Sequence, residues 1–120
     1  MKALTVKNPW AYLICSGQKD IENRSWKTNF RGRVLIHSAA SFDCRDFVPS
    51  VLCPSPCSAI IGSIEIVDCI KNSPSKWAMN DCWHWVLKNP ELFEYPILNI
   101  RGALSFWDIP EAISISIARN

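Results

Sequence analysis

The 120-residue chain has no run of 18 or more apolar residues, so it offers no helical membrane span. Its first residues, MKALTVKNPW, lack the continuous apolar stretch and cleavage site of a secretory leader, and a cytoplasmic protein is expected. Charge of one sign is also scarce. Lys and Arg number 13 against 11 Asp and Glu, a formal +2, far from the basic balance of proteins that hold nucleic acid by charge alone. Only four glycines occur, and none builds a phosphate-cradling loop. No Ser-His-Asp order can be singled out.

Cysteine is present but unpatterned, at 15, 44, 53, 57, 69 and 82. In a cytoplasmic chain these are free thiols. Cys53 and Cys57 could form half a zinc site, with His37, Cys44 or His84 completing it. They sit in a proline-rich loop, PSVLCPSPCS, with no second close pair, so no metal and no cofactor is expected.

What the chain does have is 48% apolar residues, enough for one modest core, and six tryptophans. Most of those indoles pack the core; one or two are left to stack on a ligand.

Short strands and two or three short helices account for the pattern. KALTV at 2–6 is a strand. Asn8 is placed to cap a helix at 9–16 that opens on Pro9, turns Trp10, Leu13 and Ile14 to one side and ends at Gly17. Residues 20–26 are extended, with Asp20, Glu22, Arg24 and Trp26 on one face. A half-buried strand normally shows one apolar face, so this charged face lies at the surface or lines a polar pocket. A turn at 28–32 leads to RVLIHS, an almost continuous apolar run that predicts a central strand. A short helix is expected within 42–52 and a loop at 53–57. The strand 59–70 carries Gly62, which marks a bulge or a close backbone approach. A helical turn at 75–81 and strands at 83–87 and 96–100 follow. The tail EAISISIARN alternates like a strand, with a terminal helix as the other option. The fold class is mixed, mainly β: a compact barrel of about five to seven strands.

Several segments, in order, resemble the ASCH domain of the PUA-like group. NPWAYLICSG followed by QKDIENRSW contains the pattern G-x-K-x-x-E-x-R as Gly17, Lys19, Glu22 and Arg24. RGRVLIHSA, IIGSIEIVDC, WHWVL and SFWDIP are similar as well, in the manner of bacterial single-domain members. The resemblance covers residues 1–110 and leaves 111–120 as a tail. It implies a PUA-like β-barrel with a cleft between barrel and helix, and RNA or a modified nucleoside as partner. Some small relatives are amidohydrolases that deacylate N4-acetylcytidine with a lysine, a threonine and a glutamate. Lys19 matches that lysine, Glu22 stands where the threonine falls, and Glu65 and Asp81 are candidates for the glutamate by chain order.

The expected cleft is built around Lys19, Glu22 and Arg24. Arg24 can fork to a phosphate or base carbonyl, Lys19 can donate to either, and Glu22 can accept from an exocyclic amine. Lys19 and Glu22 are the catalytic candidates if the domain is an enzyme. Trp26, Trp10 and Trp85 are candidate pocket walls. His37 could act as an acid or base and, with Ser38 and Glu65, completes the candidate ligand-binding set. Arg24, Lys27, Arg31 and Arg33 form a local basic run, either a phosphate track or a solvated hairpin. Three functions stay open: an RNA- or nucleotide-binding module, an amidohydrolase, and a protein-interaction domain.

Overall fold

A computed structural model describes residues 1–42 and 55–120. The helix expected within 42–52, and residues 53 and 54 of the expected loop, with Cys44 and Cys53, lie outside the described residues. The elements are β1 (Lys2–Asn8), α1 (Trp10–Cys15), β2 (Ile21–Arg24), β3 (Gly32–Phe42), β4 (Ala59–Ile70), β5 (Trp83–Ile97), β6 (Phe106–Asp108) and α2 (Glu111–Ile117). The strands form one mixed sheet in the order β2-β5-β4-β3-β1-β6. Only β1 and β3 run parallel; the other four pairings are antiparallel.

The sheet curls until its ends meet. In a flat sheet, β5 and β6 would stand four strand spacings apart, about 19 Å. Instead the rings of Trp85 on β5 and Phe106 on β6 stack with centroids 5.5 Å apart and an interplanar angle of 12°. Trp26, just beyond β2, meets the same Phe106 ring at 6.1 Å. Among the described residues no ladder joins β2 to β6, so side chains rather than backbone bonds close this barrel-like fold.

The apolar run in β3 has a simple cause: both faces of that strand are covered. Val34 and Ile36 enter one cluster with Leu4, Ile14, Ile64 and Trp85. Leu35 points the other way, into a second cluster with Ala3, Ile60 and Phe93. Strands buried on both sides lose the alternation that half-buried strands keep.

Three local expectations are corrected. Asn8 does not cap α1. It ends β1, and its amide donates to the Ala39 carbonyl at 2.7 Å, so Pro9 takes the cap position with no side-chain bond. The strand expected at 83–87 and the first two residues of the one expected at 96–100 are parts of one strand, β5, which ends at Ile97; residues 98–100 are not strand. Asn89 and Pro90 suggest a break, but Asn89 adopts a φ of 54° and β5 absorbs an extra residue between Lys88 and Glu91. The tail is a helix, not a strand. Ile113 and Ile117, one turn apart, pack on the second cluster, while Ile115 is left outside.

Gly17 ends α1 with a φ of 85°, and its neighbours Gln18 and Lys19 both donate to the Leu13 carbonyl. Gly62 serves close approach: a Cβ there would lie 2.1 Å from the Glu91 carbonyl oxygen and 2.8 Å from the Cys15 sulfur. Backbone cannot yield as a flexible side chain can. Gly62→Ala is therefore expected to destabilise the fold by about 1–3 kcal/mol or more, against about 0.5–1.5 kcal/mol for the control Ile64→Val. Urea unfolding midpoints of the two variants check this.

Candidate functional site

Beyond Leu4, β6 has ended and the edge of β1 is open. The opening is a cavity of about 760 Å³ between β1, α1, β2, the 76–79 segment and the 103–105 segment. Its size is that of a pocket for a small molecule or a single nucleotide.

An ion cluster forms its floor. Gly17 turns the chain so that Lys19 enters the interior, where its side chain is 5% exposed. The ammonium donates to the Ile21 carbonyl. It stands 3.7 Å from Glu22 Oε1, a Coulombic contact rather than a hydrogen bond. Glu22 Oε2 accepts from Arg24 at 2.9 Å through Nε and stands 2.8 Å from Nη2. That Nη2 also donates to the Thr5 carbonyl at 3.1 Å, which carries the cluster from β2 to β1. Burial pulls the Lys19 pKa below its ordinary value, and Glu22 opposes that pull.

The walls are aromatic. The Trp10 and Trp77 rings meet edge to face with centroids 6.3 Å apart. The Lys19 ammonium lies 5.8 Å from the first ring and 5.9 Å from the second. Trp77 is fixed in place, since its indole N–H donates to the Gln18 carbonyl at 2.9 Å. Asn23 holds the same loop from β2: its amide donates to the Trp77 carbonyl, and its oxygen accepts from the Met79 N–H. His84 holds it from below, accepting from the Ser73 N–H and donating through Nε2 to the Met79 carbonyl.

Of the candidate residues, Lys19, Glu22, Arg24 and Trp10 line this cavity. The others lie elsewhere. Trp85 is fully buried in the core, and Trp26 packs against it at 4.6 Å. Trp26 leaves the charged face because β2 ends at Arg24. Ser38 is buried and donates to the Pro56 carbonyl. Glu65 accepts from Asn89 on the sheet surface. Asp81 is exposed in the loop before β5. Most of the basic run is used internally: Arg33 donates to Ser63 and Asn89, and Arg31 to Thr28 and Phe30. Only Arg24 of that run reaches the cavity. Trp77, Lys76 and Lys7 also line it and carried no sequence signal. The 71–82 segment has no periodicity to mark a functional wall.

His37 sits behind the cavity in a chain of bonds that fixes its neutral form. Nε2 faces the Ile100 carbonyl at 2.6 Å and must carry the proton. Nδ1 then accepts from the Thr5 hydroxyl at 3.1 Å, and that hydroxyl accepts from the Trp107 indole N–H. Burial accordingly lowers the His37 pKa. Among the described residues no group of His, Cys, Asp and Glu could hold a metal ion, and none of the four described cysteines is in a disulfide. No helix among them is long and apolar enough to cross a membrane.

A mainly β domain with a charged, tryptophan-walled cleft beside its first helix is thus the class of protein defined here. The ASCH domain profile matches residues 4–97, and the chain belongs to the ASCH domain family. It is similar to Activating signal cointegrator 1 of Homo sapiens, 26% identical over 92% of this chain, and to the Mus musculus protein, 24% identical over the same share. The chain spans about a fifth of the length of these relatives, 22% in each case.

Two outcomes follow from the buried charges. Glu22→Gln strands Lys19 and Arg24 without their carboxylate and is expected to cost about 3–5 kcal/mol of stability, measured by urea unfolding. His37 binds its proton more weakly folded than unfolded, so its contribution is complete above the unfolded value of 6.5 and is lost as pH falls below it. A ring-proton NMR titration should place the folded midpoint below 6.5, and His37→Phe should remove this component of the acid sensitivity.

Proposed function

We propose that this domain binds RNA or a modified nucleoside by taking one base into the cavity over Lys19, Glu22 and Arg24. The observation that carries the reading is the pairing of an almost dry ion cluster with two indoles at the wall of the same hollow. A base has a π-face for the indoles and a polar edge for the ions. Stacking on a tryptophan contributes about 1–3 kcal/mol and tolerates any base, so the ions supply the choice. Lys19 and Arg24 donate to ring or carbonyl acceptors, and Glu22 accepts from an amine. Family membership supports the reading, since the resemblance implies RNA-related ligands. A cytoplasmic location fits it.

A second reading is favoured by one observation, the lowered pKa of the buried Lys19. A lysine that sheds its proton can act as base or nucleophile, here on the acyl group of an N4-acetylcytidine-type nucleoside. Glu22 opposes this step by holding the proton on, and by the resemblance it stands where the deacylating relatives carry a threonine.

The test is titration of the chain with nucleosides and short single-stranded RNA, followed by calorimetry. Trp77→Ala should weaken binding about ten- to a hundredfold, and Lys19→Ala should do so with a retained fold. Absence of binding to every nucleoside and RNA would remove the reading. Acetate release from N4-acetylcytidine, abolished in Lys19→Ala, would put the enzymatic reading first.

A further inference from the structure

Charge is unevenly spread over this protein. Four cationic side chains line the cavity, Lys7, Lys19, Arg24 and Lys76, against one carboxylate, Glu22, among the described residues. That is an excess of three positive charges, while the whole chain has only +2. The residues outside the cavity therefore sum to a slight negative formal charge.

Within the cavity the charge is graded by depth. On the floor, Glu22 offsets part of Lys19 and Arg24, leaving one net charge among two buried groups and one half-buried one. At the mouth, Lys7 and Lys76 are exposed, and neither has a carboxylate within 4.0 Å among the described residues. Lys76 lies against the tryptophan of the cavity wall, its ammonium 5.5 Å from the Trp77 ring. A neutral ligand would satisfy the floor and leave these two lysines idle. A ligand with a neutral polar head and an anionic end matches both levels.

We infer that Lys7 and Lys76 form a phosphate subsite at the mouth of the cavity, so that the ligand unit is a phosphorylated nucleotide, not a free nucleoside. The inference rests on the base-binding reading above and adds the phosphate to it. The base lies inward between Trp77 and the ion cluster, and the phosphate lies outward between two ammonium groups. A lysine suits this position because a compact, mobile point charge follows a phosphate without fixed geometry.

The test compares each ribonucleoside 5′-monophosphate with its parent nucleoside and with inorganic phosphate by titration calorimetry on the full chain. At least one monophosphate should bind about tenfold more tightly than its nucleoside. Lys7→Ala with Lys76→Ala should bring that monophosphate down to the nucleoside's affinity and leave the nucleoside unchanged. Both lysines are exposed, so circular dichroism of the double variant should match the parent. The monophosphate's affinity should also fall with added salt, and the double variant should lose most of that dependence. Equal affinity for nucleoside and monophosphate overturns the subsite and leaves the base-binding reading standing. Inorganic phosphate binding as tightly as the monophosphate overturns the base-binding reading and with it this inference. So does the failure of every nucleoside and nucleotide to bind.

Discussion

Everything near the cavity depends on one guanidinium. Arg24 sits at the end of β2, the outermost strand on one side of the sheet. It holds Glu22 on its own strand and the Thr5 carbonyl on β1, the neighbour of the opposite outermost strand. One side chain therefore ties the two ends of a curled sheet together where, among the described residues, no ladder does. Because an arginine stays charged and offers several fixed donors, it can hold a carboxylate and a backbone carbonyl at once. A lysine in its place has no such fork. The bond to Thr5 also extends the influence of Arg24 backwards, since the Thr5 hydroxyl belongs to the His37 and Trp107 chain.

Below that tie, aromatic rings do the filling. Trp85 is stacked on Phe106 and met edge-on by Trp26, and Phe30 lies 4.7 Å from Phe106 on its other side. The Arg24 guanidinium lies 5.7 Å from the Trp85 ring, so the ion cluster rests on this aromatic plug. The plug and the cluster form one column through the barrel-like interior. Its lower part is apolar and closed; its upper part is polar and opens to the cavity. Tryptophan is abundant in this chain because both parts use it: Trp26 and Trp85 fill the closed end, and Trp10 and Trp77 wall the open end.

Much of this arrangement was legible in the residues. The charged face of 20–26 predicted either a surface strand or a polar pocket, and Glu22 and Arg24 do line a cavity. Pro9 and Gly17 bracket α1 closely, and the doubly buried β3 follows from its apolar run. What stayed hidden was contact between distant segments. Trp77 meets Trp10 across 67 positions of sequence, and its loop is held by scattered hydrogen bonds to Gln18 and Asn23 that leave no pattern. Trp85 alternates on its strand just as a pocket residue would; only the curl of the sheet places it in the core. Asn8 had the right residue type for a cap, but a strand neighbour captured its amide first.

The balance at Lys19 also separates what the site can do. Desolvation disfavours an ammonium in this position, and the nearby Arg24 adds to that effect. Glu22 works the other way, by charge at 3.7 Å. A nucleophilic lysine needs the first pair of effects to win outright, and a residue such as threonine at position 22 would let them. A carboxylate at that position supplies the counter-charge that two adjacent cations need once they are out of water. It also leaves Lys19 with a reason to keep its proton, and a protonated lysine is a donor rather than a nucleophile. Burial still lowers its pKa, so a ligand that draws Glu22 away from Lys19 would shift the balance toward the neutral amine. The carboxylate at position 22 thereby weighs toward an ammonium at Lys19, and burial weighs against it.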